Sequence, residues 1–468
     1  MPTRDATAAL DGATMRAAVE AATSGVPGAA GLGLEVELFP IATDAGIQRS
    51  PILGEAGTLA RLGASSAIRK QLPVGEQLSE HGWRAAGPDG CRTTFEPGGQ
   101  IEISTCYHER PSDALASAEQ ATSVLAQALA PGISLAAAGI DVWAPGTAAQ
   151  QRTSPRYRAM ERYLAARSSE GRTMMCDTCA LQLNLDLSVG TEAAERWSVT
   201  NLLAPVATAT FASSPSPDGR TRSGRSLVWQ QVDPTRTGFP PGSTDGNASF
   251  AERFERFVMD ADVLLVTDVT GNVVPGRRGW RFADWMAHGH RRFGWPTAHD
   301  LDVHLSTLFP EVRPRGYLEV RSLDALPARW RAVPAVLYAG ATYDTGARAR
   351  ILAVLGEHPR PDAQLLREAA TVGLSDPSWC ALAVEVWSFA LEGASRLVPG
   401  KLRREDVKLA EHFLDRFTLR GRSPADELSD VLRTGGPMAA LRWAAEPVSA
   451  VAGEPVVTGA SRSRQEEM

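Results

Sequence analysis

The chain has 468 residues, 43% hydrophobic and 22% charged, enough apolar material for one large unit or two to three domains. Its 48 basic and 54 acidic residues leave a net charge of −6, which excludes nonspecific binding to nucleic acid or an anionic membrane as the main task. Five cysteines do not make a disulfide framework, and Cys176 and Cys179 form a lone C-x-x-C without the second pair that a zinc site needs, so they read as free thiols.

The first 28 residues read as a helix, Ala8 to Ala22, and a Ser-Gly-Val-Pro-Gly linker. Met1 to Val19 is polar and mixed, unlike a signal peptide, and no segment has the length and apolarity of a membrane span, so the expected location is the cytoplasm. Strand signals then run to about Asp186, with a helix over Ser112 to Ala130 behind Pro111. Ser213 to Ser249 is rich in Ser, Pro, Gly and Arg and reads as a long loop, with its arginines and Trp229 favouring a substrate lid over a disordered insertion. From Ala332 to Ala445 the chain reads as helices, with start signals at Asp376-Pro377 and Ser423-Pro424. Residues 447–468 are expected to be a disordered tail, leaving 29–446 as one catalytic unit whose helical part spans 332–446.

Four strand-like segments share a design. In Leu34-Glu-Val-Glu-Leu38, Glu35 and Glu37 point to one face, about 7 Å apart, and the apolar residues to the other. Gln100 and Glu102 do the same in Gln100–Ser104, just after Glu96 in a Glu-Pro-Gly-Gly run. Gln182, Asn184 and Asp186 share one face of the third segment, with four leucines opposite, and Tyr317, Glu319 and Arg321 share one face of the fourth. One such strand is ordinary, because antiparallel sheets often have a wet face. Four of them would line up carboxylates that repel one another unless a cation sits among them. Magnesium suits that place, since it takes carboxylate oxygens and keeps positions open for phosphate, and this many carboxylates would hold two or three ions. With Arg321 as a phosphate-binding fork, the set points to a nucleoside triphosphate. No Walker P-loop, dinucleotide fingerprint, kinase signature, zinc-protease motif or nucleophile elbow is present.

Six segments resemble the glutamate–cysteine ligase family in its own order: Gly33–Phe39, Thr94–Ser104, Thr178–Asp186, Pro205–Pro215, Val228–Gly238 and His304–Ser322. The similarity is to the plant-type branch and its actinobacterial relatives, which make γ-glutamylcysteine for ergothioneine synthesis. It implies an α+β fold like that of glutamine synthetase, with a curved, mainly antiparallel sheet, the active site on its concave face and helices behind. It implies ATP and Mg²⁺ as cofactors and L-glutamate and L-cysteine as substrates. Glu35, Glu37, Glu96, Glu102 and Glu319 would be metal ligands, and Glu319 and Arg321 the catalytic pair, with Arg321 aimed at the γ-phosphate. Gln182, where another branch has a metal-binding His, and Asn184 would face ATP, and Gln100 the substrate. Arg225, Trp229 and Arg236 fall in the loop that binds glutamate or phosphate in relatives. Three other readings stay open: a related ligase using a different amine, a non-catalytic glutamate or nucleotide sensor, and a metal-dependent hydrolase.

Overall fold

The computed structural model describes residues 9–448 except 45, 73–74, 76, 85–89, 147–148, 243–248 and 269. The strands in chain order are β1 Leu32–Ala42, β2 Gln48–Arg49, β3 Trp83–Arg84, β4 Arg92–Phe95, β5 Ile101–Ser104, β6 Ile133–Ala136 and β7 Ala180–Asp186. They continue as β8 Thr237–Gly238, β9 Leu265–Thr267, β10 Val273–Pro275, β11 Phe309–Pro310, β12 Val312–Pro314 and β13 Tyr317–Asp324. Among the described residues, nine of these form one sheet in the order β12-β13-β7-β1-β5-β4-β3, with β2 and β6 paired to the far half of β1. Every pairing in it is antiparallel.

The four segments singled out by their alternation are the four central strands β13, β7, β1 and β5. Their apolar faces are closed: Leu34, Leu38, Ile101, Ile103, Leu183, Leu185, Leu318 and Val320 are all 0% exposed. They pack on the helices Pro111–Leu129, Gly190–Thr210 and Ala328–Tyr343. Burial of this face drives the register, because a one-residue slip would turn each leucine toward the cavity and each carboxylate into the core.

Both cap signals in the helical region hold. Asp376 accepts from the amides of Ser378 and Trp379 at the start of Pro377–Arg396, and Ser423 and Asp426 form a capping box before Pro424–Ala444. The N-terminal helix spans Gly12–Thr23, capped by Asp11, rather than starting at Ala8, which lies outside the described residues. It belongs to a second apolar cluster, where Met15 and Val19 meet Phe254, Phe257 and Trp285. The expected loop 213–249 is a helix at its centre, Gly224–Val232, because the Ser223 hydroxyl caps the Ser226 amide and Val228 and Val232 are buried. Most of the expected tail, 449–468, lies outside the described residues. No helix among the described residues is long and apolar enough to cross a membrane.

Candidate active site

Strand register decides which side chains meet. Glu35 lies opposite both Gln182 and Ser104, Glu37 opposite Glu102, Glu319 opposite both Asn184 and Arg313, and Thr94 opposite Glu102. The polar faces of β4, β5, β1, β7, β13 and β12 thus form one continuous floor. Above it is a cavity of about 450 Å³. Its walls hold Glu35, Glu37, Glu96, Gln100, Glu102, Gln182, Trp229, Glu319 and Arg321, nine of the residues expected from sequence.

The carboxylates fall into two electrostatic groups. Glu35, Glu37, Glu96 and Glu102 have few partners. Glu37 accepts from the Ala180 amide at 2.7 Å and from Gln182 Nε2 at 3.2 Å; Glu35 accepts from Asn184 Nδ2 at 3.3 Å. Glu102 accepts from the hydroxyls of Thr94 and Ser104. Burial, and then repulsion from Glu102 and Glu319, pushes the Glu35 carboxyl up to about 7. Glu37, Glu96 and Glu102 are raised as well, by burial first. Such a set resists carrying its full negative charge until a cation arrives.

Glu319 is the opposite case. Arg313 grips it bidentately, Nε to Oε2 at 2.5 Å and Nη2 to Oε1 at 2.9 Å, and Arg321 Nη1 donates to Oε1 at 3.0 Å. Burial would raise its pKa, but the two guanidiniums outweigh it and hold the carboxyl down at about 2. In this arrangement Glu319 is the counter-ion of two arginines, so ligating a metal would require Arg321 to leave Oε1. Arg321 Nη1 also donates to Gln182 Oε1 at 2.8 Å. Its guanidinium lies 5.5 Å from the Trp229 ring and 5.6 Å from that of Phe309.

Sequence reading missed Arg313, although it stands in the most specific family segment. The signal was its register: on β12 it falls directly across from Glu319. Also missed were Arg92, Arg156 and Arg315, which add positive charge to the wall, and Tyr157, Met160, Met174 and Met175. Their side chains reach the cavity from strand ends, a β-turn and two helices that no strand alternation could reveal.

Three expected residues are not on the wall. Asn184 lies beneath it, bonded to Glu35. Arg225 is buried behind Trp229 and donates Nη2 to the Arg321 carbonyl at 2.8 Å. Arg236 is 0% exposed, and its guanidinium is consumed by Asp233, Tyr163, the Thr307 carbonyl and the Asp262 carbonyl. With four of its five N–H groups bonded and no exposed surface, it ties the end of the helix Gly224–Val232 to Tyr163 and to the Asp262 and Thr307 backbone rather than facing the cavity. Two wall atoms do await a partner: Gln100 Oε1 and Trp229 Nε1 are buried without a hydrogen bond.

Magnesium fits this donor set. Among the described residues no three His, Cys, Asp or Glu groups converge into a ready-made cage. Mg²⁺ does not need one, because it is usually held by one or two carboxylates together with water and substrate phosphates.

The fold and wall chemistry define a carboxylate-lined, sheet-floored cavity suited to a divalent cation and phosphate. Residues 32–446 match glutamate-cysteine ligase family 2 (GCS2), and the chain belongs to that family. It is 35% identical over 366 residues to the glutamate–cysteine ligase EgtA of Mycolicibacterium smegmatis, covering 76% of this chain and 81% of that enzyme. It is 32% identical over 362 residues to a chloroplastic glutamate–cysteine ligase of Medicago truncatula, covering 72% of this chain and 70% of the plant enzyme. Among solved structures, a glutamate–cysteine ligase of Francisella tularensis in complex with AMP shares the fold, with a TM-score of 0.50 at 14% identity over 90% of this chain and 88% of that one.

Proposed function

We propose that this chain is an ATP-dependent glutamate–cysteine ligase that forms γ-glutamylcysteine through a γ-glutamyl phosphate, serving ergothioneine synthesis in the cytoplasm. The observation that carries the reading is one cavity holding four under-neutralised glutamates beside the Arg313–Glu319–Arg321 cluster, in a chain that belongs to this ligase family.

A carboxylate is inert toward amines at neutral pH because an oxide is a poor leaving group. Transfer of the ATP γ-phosphoryl group to the glutamate γ-carboxylate creates an acyl phosphate, which the cysteine amine opens with release of phosphate. Bound Mg²⁺, as two or three ions, would neutralise phosphate charge during transfer. Glu35, Glu37, Glu96 and Glu102 would hold those ions to the sheet, and Glu319 would join them only if Arg321 left its Oε1. Arg321 supplies its planar fork to the transferring phosphoryl group, with the Trp229 and Phe309 rings at 5.5 and 5.6 Å beside it. Gln182 holds Arg321 at 2.8 Å and Asn184 orients Glu35, while Gln100 offers its unpartnered Oε1 to the substrate ammonium. Recognition of the glutamate α-carboxylate falls to Arg156 and Arg315 on the wall, with Arg225 holding Trp229 and Arg321 from behind, in place of Arg236.

The test is ADP release by the purified protein with ATP, Mg²⁺ and glutamate, with and without cysteine, and γ-glutamylcysteine followed by mass spectrometry. Dipeptide formed in step with ADP, and only with cysteine, is the expected result. ADP released with a different amine would overturn the choice of substrate, and no ADP with any amine would overturn the ligase reading.

A further inference from the structure

Arg49, on β2, lies outside the cavity, yet three segments that carry cavity carboxylates and their neighbours meet at its guanidinium. Nη1 pairs with Asp141 Oδ2 at 3.0 Å, in a contact where the two side chains are only 5% and 0% exposed. Nη2 donates to the Gly98 carbonyl at 3.1 Å and to the Cys176 carbonyl at 3.2 Å. The guanidinium carbon lies 4.4 Å from the centre of the Phe39 ring. Phe39 follows Glu37 on β1. Gly98 sits two residues after Glu96. Cys176 is at the end of the helix Glu170–Asp177, which leads into β7 and Gln182.

The turn bearing Glu96 is shaped for this grip. The Glu96 amide donates to the Gln100 carbonyl at 2.8 Å and the Gly99 amide to the Glu96 carbonyl at 2.9 Å, reversing the chain between β4 and β5. A Cβ on Gly98 would lie 2.4 Å from the Cys176 carbonyl oxygen, so only glycine lets the turn rest on the helix end. Gln151 holds the other side: its amide donates to the Pro97 carbonyl at 2.6 Å, and its Nε2 to the Gly98 carbonyl at 2.9 Å. The Gly98 oxygen therefore receives two donors, from Arg49 and Gln151.

We propose that Arg49 is a positioning residue for the cation-binding carboxylates. It holds the Glu96 turn against β1 and the entry to β7, so that Glu96 reaches a divalent cation at a fixed spacing from Glu37 and Glu102. Arg49 thereby acts on the cation through Glu96 without touching substrate, as outer-shell partners of metal ligands do. This rests on the metal reading of the cavity given above.

The test uses Mn²⁺ as the probe, its binding followed by electron paramagnetic resonance on the full chain without substrates. Alongside, the Mg²⁺ dependence of turnover and the KM values for glutamate and cysteine are measured. Arg49→Gln is expected to weaken Mn²⁺ binding about 10- to 100-fold. The half-saturating Mg²⁺ concentration should rise in parallel, with both KM values within about twofold of wild type. Arg49→Lys should recover part of the loss, because an ammonium can keep Asp141 but cannot span both carbonyls. A folded Arg49→Gln protein with unchanged Mn²⁺ affinity overturns the proposal, whatever its kcat. Should Arg49→Gln fail to fold, Gln151→Leu removes the second donor to Gly98 and leaves Arg49 in place. It is expected to weaken Mn²⁺ several-fold, and unchanged affinity again overturns the proposal. Wild-type protein that binds no Mn²⁺ overturns the metal reading and this inference together, whereas wild-type binding with unaffected variants overturns this inference alone.

Discussion

Replacing Arg313 by Met should destabilise the protein through Glu319 rather than through lost packing. The Glu319 carboxyl stands at about 2 against an ordinary 4.5, a difference equivalent to about 3 kcal/mol at ~1.36 kcal/mol per pKa unit. Arg313 supplies two of the three guanidinium hydrogen bonds to it, and Arg321 the third. Removing Arg313 should therefore cost about 2 kcal/mol from this pairing, rising toward the ~3–5 kcal/mol typical of a broken buried ion pair as the Leu308 carbonyl also loses its donor. A chain of this length has an unfolding entropy of about 1 kcal/mol/K, so the melting temperature should fall by about 2–5 °C. The sign with pH is set by the lowered pKa: the stabilisation is fully present above about 4.5 and disappears as pH falls toward 2. In the variant, burial raises the Glu319 carboxyl, so the gap between the melting curves of wild type and Arg313→Met should hold or widen from pH 5 to pH 8. A gap below about 1 °C throughout that range, or one that closes as pH rises, would refute the assignment of Arg313 as the main counter-ion of Glu319.

The carboxylates proposed to bind cations should show the reverse dependence. Glu35 is raised to about 7, so the metal-free protein should lose stability as pH rises from about 4.5 to 7, and Mg²⁺ should restore it; calorimetry with and without Mg²⁺ measures this, and a metal-free melting temperature that rises over that range would contradict it. Arg321→Lys should lower turnover by about 10³- to 10⁵-fold, because an ammonium cannot form the planar fork; single-turnover acyl phosphate formation at the wild-type rate would remove Arg321 from the phosphoryl step. Asp324 accepts from the Ser213 amide and from the Ser214 and Ser223 hydroxyls, tying the end of β13 to the cap of the helix that carries Trp229. Asp324→Ala should lower kcat about tenfold or more by loosening that helix, and unchanged steady-state kinetics would show that Trp229 is held without it.

The central strands were legible from sequence because a strand with one buried face must alternate, and a Leu-Glu-Val-Glu-Leu run has only one way to hide its apolar side. The helix starts at Asp376 and Ser423 were equally legible, since capping is decided within four residues. The helix inside the 213–249 segment was not, because its Ser, Gly and Arg content suits a loop and only burial of Val228 and Val232 against other elements makes it a helix.

Local sequence thus determined which residue types face the cavity, and with the ordered family segments it determined the chemistry. Tertiary structure alone decided which charges are already spent. Arg225, Arg236 and Arg321 look alike along the chain, yet one supports from behind, one is fully buried among its own acceptors and one enters the cavity. Glu35 and Glu319 look alike too, yet one is buried among carboxylates with its pKa raised and the other already holds two arginines. The difference lies in strand order and register, which set the few ångströms over which a charge is neutralised, and alternation along a single strand carries no information about its neighbour.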